Sequence, residues 1–241
     1  MTKPVDRVLR RLGVIYEGFD VATDHARVKH GVTCEGFCNH CCYQVTVTTF
    51  AEALAIVKHL GQGWFSNHKI TEIRDQSVAL TDLDMDREKW FRVSRKPCVL
   101  LASNGSCSAY DARPIACRTL MSTENPDHCR PEHTASIACV SFEPLINVAL
   151  DEIDRVSAYS GVPRVMGPLP AMIYFALIFV RNPAEAKAEI EKFYGQDPAP
   201  VSFLKRWGHL VGGVVAENPD GTYRVKIDLE EMVRGMRPTE E

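Results

Sequence analysis

The sequence predicts a mainly α protein carrying one small β-hairpin. Two observations predict it. Apolar residues recur at three- and four-residue spacing over most of the 241 residues, and the period changes where Asn104-Gly105 separates two short runs.

The elements follow in order. Residues 4–18 place Val5, Val8, Leu9 and Leu12 on one face of a short amphipathic helix, and a cysteine-rich loop follows. "TTFAEALAIVKHL" opens with a capping box, Thr49 to Glu52, and carries Phe50, Leu54, Val57 and Leu60 at helical spacing. Further helical patterns cover 67–80 and 84–94. "PCVLLASNGSCSAY" is the hairpin segment, and Pro114 of "RPIACRTL" stands where a helix can begin. Helical patterns return over 135–159, 169–180, 183–194 and 201–211, and "GTYRVKID" reads as a lone strand before a short helix ending at Met236.

Composition narrows the function classes. A net charge of −3 and a pI near 6.3 give no basic field for nucleic acid. The most apolar run, "PLPAMIYFALIFV", covers residues 168–180 and falls short of the roughly 20 residues of a bilayer span, so it reads as a buried core helix rather than a membrane segment. The first residues lack the apolar core of a secretory signal, and a cytoplasmic protein is expected. Cysteines of a reducing compartment are metal ligands or catalytic groups more often than disulfides, and their odd number, nine, fits that reading.

Four of the nine lie in "CEGFCNHCC", residues 34–42, and all precede residue 140. The division expected from this is a cysteine-rich domain over 1–142 and a helical region over 143–241, continuous with the first if the junction is no true boundary. Spacings of two and three residues among Cys34, Cys38 and Cys41 let a loop wrap zinc or an iron–sulfur cluster. Adjacent side chains diverge, so Cys41 and Cys42 serve one tetrahedral site awkwardly: they belong to two centres, or one is spare. Residues 92–118 set Arg92, Arg95, Lys96, Arg113 and Arg118 against Asp111, a local charge that favours thiolates. His40, His128 and His133 stand near cysteines as substitute ligands or as ordinary surface histidines. Cys139, in "SIACVSF", reads as a small buried hydrophobe.

Taken together, Cys34-x3-Cys38-x2-Cys41-Cys42, Pro97-Cys98 before an apolar pair, and Gly105-x-Cys107 with Tyr110-x-x-Arg113-Pro114-x-x-Cys117-Arg118 resemble the YkgJ-type cysteine cluster family. This is a zinc- or iron-chelating CxxCxxCC domain whose wider group includes flagellin lysine N-methylases. The resemblance spans roughly residues 30–140 and implies chelation more firmly than any reaction.

The expected architecture is therefore helices around a cysteine-ligated metal centre. The expected ligands of zinc or an iron–sulfur cluster are Cys34, Cys38, Cys41, Cys42, Cys98, Cys107, Cys117 and Cys129. The alternative is a cluster-dependent S-adenosylmethionine enzyme such as a protein-lysine N-methylase, although no glycine-rich cofactor fingerprint is present. The Cys34–Cys38–Cys41 spacing also matches radical S-adenosylmethionine enzymes, but their alternating strands and helices do not follow. A structural metal with the helical half binding a protein partner is the non-enzymatic reading.

Overall fold

The computed structural model describes residues 3–34, 38–82, 95–130, 138–194, 213–217 and 223–227. The helices expected over 84–94, over 201–211 and up to Met236 lie outside these residues.

Helix α1 (Lys3–His30) buries Val5, Val8, Leu12, Tyr16, Phe19, Thr23 and Ala26, one residue every three or four positions. It runs twelve residues beyond the expected end at 18, because Phe19, Thr23 and Ala26 continue the buried stripe, the last two with less apolar side chains. Gly31, at φ +62°, ends it in a conformation that glycine adopts without a Cβ penalty.

Strand β1 (Val47–Thr49) runs directly into α2 (Phe50–Leu60), and β2 (Met166–Pro168) runs directly into a later helix, Leu169–Arg181. The two strands pair antiparallel, Val47 opposite Pro168 and Thr49 opposite Met166, so both helices leave the same short ladder. Main-chain bonds from Phe50 N to Val165 O (2.8 Å) and from Leu169 N to Thr46 O (2.8 Å) close its two ends. The expected capping box is present: Thr49 Oγ1 accepts from Glu52 N, and the Glu52 carboxylate accepts from Thr49 N.

After α2 come α3 (Asn67–Asp82), the short α4 (Ile115–Thr119), α5 (Glu143–Ser160), the apolar helix α6 (Leu169–Arg181) and α7 (Pro183–Tyr194). Helix α6 packs between α2 and α3, and α1 packs on α5 and α2. Ile56, Ile73, Met172 and Ile173 are fully buried, and Phe50 stands edge-on to Phe179 at 5.3 Å. The run that is too short for a bilayer is thus the central helix of a core, and no helix among the described residues is long and apolar enough to cross a membrane. Residues Met1–Glu189 form one compact unit, with helices from both sides of residue 142 in the same core.

A second unit covers Ile190–Glu241. Its strands β3 (Gly213–Glu217) and β4 (Tyr223–Ile227) pair antiparallel, Gly213 opposite Ile227. The "GTYRVKID" strand is therefore not alone. Its partner begins within "VGGVV", whose glycines hid a strand from propensity.

The hairpin at Asn104-Gly105 exists in its smallest form. Gly105 N donates to Ala102 O (2.9 Å) and Ala102 N to Ser106 O (2.8 Å), with a single bridge between Leu101 and Cys107. This is a three-residue loop with glycine in the bulge position, rather than a two-residue Asn-Gly turn. Gly105 has φ +82°, and a Cβ there would stand 3.1 Å from the side-chain nitrogen of Asn39. Gly105→Ala is expected to cost about 1–2 kcal/mol from the left-handed backbone alone. A urea midpoint unchanged from wild type would contradict it.

Candidate metal centre

All nine cysteines are free thiols, and eight are partly buried. They come from separate segments, several of them fastened by contacts of their own.

A 3₁₀ turn, His40–Tyr43, presents Cys41 and Cys42, closed by Cys42 N to Asn39 O (2.9 Å) and Gln44 N to Cys41 O (3.1 Å). Cys98 is tied to that turn by its own N–H, which donates to Cys42 O (2.6 Å). The residues after it, Val99 and Leu100, are buried and anchor the segment, while α3 grips its backbone through Gln76 to Pro97 O (3.0 Å) and Lys69 to Val99 O (3.3 Å). The hairpin turn carries Cys107. Helix α4 carries Cys117, whose sulfur lies 3.9 Å from Thr46 Oγ1.

Two charged residues set the position of α4. Glu52, 2% exposed, accepts from Ile115 N through Oε1 (2.8 Å), while Oε2 takes Thr48 Oγ1 (3.1 Å), Thr49 N (2.9 Å) and Thr49 Oγ1 (3.0 Å). Arg118, 3% exposed, donates to the carbonyls of Asp111 and Arg113 and pairs with Asp20 of α1, its guanidinium stacked 4.2 Å over the Tyr16 ring. The Arg-Pro-x-x-Cys-Arg stretch is thus a clamp in which the second arginine is structural.

Arg113 differs. It stacks on Tyr110 at 4.0 Å, and its Nε is buried with no hydrogen-bond partner among the described residues. Its charge acts on Cys41 and Cys107 and favours their thiolates.

The thiols act on each other in a definite pattern. Cys41, Cys98, Cys107 and Cys117 are all mutual electrostatic neighbours. Cys42 shares a hydrogen bond with Cys41 that lowers Cys41 and raises Cys42, which makes Cys42 the donor of the pair. Burial, and after it the charge of neighbouring thiols, push Cys98 up to about 12 and raise Cys117.

Cys34 has its sulfur 3.2 Å from Ser122 N, and the charges of Cys34, Cys38 and Cys139 act on Cys129. Cys139 is exposed and bridged to Ser122, which corrects its reading as a buried residue of a helix: the backbone before Phe142 is extended, and α5 starts only at Glu143. An apolar run of this length fits a strand or a helix equally. His128 is engaged by Glu124 at 3.1 Å, and His133 lies outside the described residues.

Among the described residues, no three cysteine, histidine or carboxylate side chains stand as a ready-made metal site. The donor set nevertheless suits a thiophilic metal. Four thiols that act on one another electrostatically are the donor type zinc or a cluster takes, and Arg113, its Nε without a partner among the described residues, would set positive charge beside a centre that four thiolates would leave anionic.

Residues 33–136 match the CxxCxxCC family, described as "Putative zinc- or iron-chelating domain". No curated protein and no solved structure matches the chain. Eight of the nine cysteines fall inside the matched segment, and Cys139 falls outside it.

Proposed function

We propose that this chain, whose residues 33–136 match the CxxCxxCC family, holds a zinc ion or an iron–sulfur cluster on Cys41, Cys98, Cys107 and Cys117. What supports the reading is that each of these four thiols, drawn from the 3₁₀ turn, the Pro97-Cys98 segment, the hairpin and α4, acts electrostatically on the other three, within a segment that matches a zinc- or iron-chelating family. Bound metal would replace the thiol protons and tie together four short segments that bury little on their own. Cys42 donates to Cys41, which answers the difficulty of two adjacent ligands. A reducing, cytoplasmic setting suits nine free thiols. Nothing among the described residues favours the S-adenosylmethionine alternative.

The test is elemental analysis of protein purified without oxygen. Stoichiometric zinc in a colourless protein, or iron with visible sulfide-to-iron absorption, is the expected result. Protein free of both zinc and iron would overturn the reading.

Arg113 gives a finer check. Arg113→Gln is expected to weaken metal retention about 10–100-fold, the usual effect of removing a group that supports ligands without binding the metal. Arg113→Lys is expected to restore much of it. Competition with a chromophoric chelator measures both, and equal retention in all three proteins would remove Arg113 from the centre.

A further inference from the structure

We propose that the cleft between α1, α2 and the 3₁₀ turn Tyr110–Ala112 binds a small zwitterion with an apolar body, the chemistry of a short apolar peptide with free termini. The cleft has a volume of about 570 Å³, within the range of small-molecule sites. No cysteine lines it, so it is a separate site from the metal centre.

The walls are mostly apolar and already held in place. Leu12, Tyr16 and Ala112 line the cleft and are themselves buried in the fold. The Tyr16 ring carries the Arg118 guanidinium at 4.2 Å, and the Asp111 carbonyl accepts from the same arginine. Ala112 N closes the turn on Ala109 O (3.0 Å). A ligand therefore meets walls that binding need not order. Gly13 keeps one of them open. It lies in the interior of α1, where glycine weakens a helix, and a Cβ placed there meets no atom within 4 Å. Its φ is not positive and no neighbour crowds it, so neither backbone nor packing calls for glycine. What the bare backbone does leave is room in the cleft.

Charges of both signs line this apolar space. Asp6 and Arg10 come from α1, Lys58 from α2 and Asp111 from the turn, and with His59 counted as neutral they sum to zero. Lys58 and Asp6 already face each other at 3.6 Å. No ion pair or side-chain hydrogen bond among the described residues engages Arg10 or the Asp111 carboxylate, and both residues are exposed. A nucleotide would set its phosphates against two carboxylates, and a polycation would meet Arg10 and Lys58. A zwitterion answers both open charges: its carboxylate pairs with Arg10 and its ammonium with Asp111, while its apolar side chains cover Leu9, Leu12 and Ala55. Because the two open charges stand on different elements, they suit an acid and an amine at opposite ends of a ligand, as in a dipeptide.

The probe is leucyl-leucine, titrated into the isotope-labelled full chain and followed by amide chemical shifts. The expected result is saturable binding that moves the amides of Gly13, Ala55 and Ala112. N-acetyl-leucyl-leucine and leucyl-leucinamide each lack one terminal charge and are expected to bind about two- to fivefold more weakly, the effect of one lost exposed ion pair. Asp111→Asn is expected to erase the preference over the acetylated peptide, and Arg10→Gln the preference over the amide. Gly13→Leu fills the cleft from a position where a side chain meets nothing, and it is expected to abolish binding in a protein that circular dichroism shows to be folded. No saturable shift with leucyl-leucine, shifts confined to residues away from the cleft, or unchanged binding in Gly13→Leu overturns the site. Equal or tighter binding of either blocked peptide overturns the zwitterion as its ligand.

Discussion

Cys117→Ser is expected to empty the buried centre, whereas Cys42→Ser keeps it loaded. Cys117, one of the four thiols that act on one another electrostatically, comes from α4, the segment fastened most firmly to the core through Glu52 and Arg118. A serine hydroxyl is a poor ligand for zinc or iron, and the three remaining thiols cannot close a tetrahedral set. At position 42 a hydroxyl can still donate to Cys41, which is all that Cys42 is assigned to do. Metal that binds only the folded state at a hundredfold excess over its Kd contributes about 2.7 kcal/mol. For a chain of this size that corresponds to roughly 5–10 °C in Tm, at about 2–4 °C per kcal/mol. Thermal melts with and without a chelator measure it. Wild type is expected to fall by that amount on chelation, Cys117→Ser to start low and not respond, and Cys42→Ser to behave as wild type. A Cys117→Ser protein that keeps its metal and its chelator response would show that the centre lies elsewhere.

The same residues show what the sequence could reveal. The capping box at Thr49–Glu52 and the apolar faces of α2 and α6 are local patterns, and local patterns survive into the fold. The far end of α1 was concealed because its buried face changes there from valine and leucine to threonine and alanine. The β1–β2 ladder joins residues more than a hundred positions apart, through three-residue strands that carry no periodic signal of their own. The cysteines are the sharpest case. They are candidate ligands by spacing and residue type, but which of them the fold brings together depends on how turns far apart in the chain meet. That is tertiary information. Cys139 was misplaced for a related reason: "SIACVSF" contains an apolar run that a bridge to Ser122 holds extended.

Glu52 is where fold and centre are most strongly coupled, and Glu52→Ala is expected to cost about 3–5 kcal/mol. A buried carboxylate is tolerated here because one group accepts from four donors: two threonine hydroxyls, Thr49 N and Ile115 N. No neutral side chain offers two acceptor oxygens with that capacity. Removing it leaves two buried backbone N–H groups, of Thr49 and Ile115, unsatisfied at about 1–3 kcal/mol each. Glu52→Gln keeps one carbonyl but turns an amide donor toward other donors, so an intermediate loss is expected. The effect should not stop at stability. Ile115 stands two residues before Cys117, and releasing its N–H frees the start of α4 from the β1–α2 corner. Glu52→Ala is therefore expected to retain metal less tightly than a core substitution of equal cost on α6, such as Met172→Ala. Urea unfolding gives the first quantity and chelator competition the second. A midpoint shift with metal retention equal to that of the Met172→Ala control would leave Glu52 as a helix cap and nothing more, because only a group that positions Cys117 lowers stability and metal retention together.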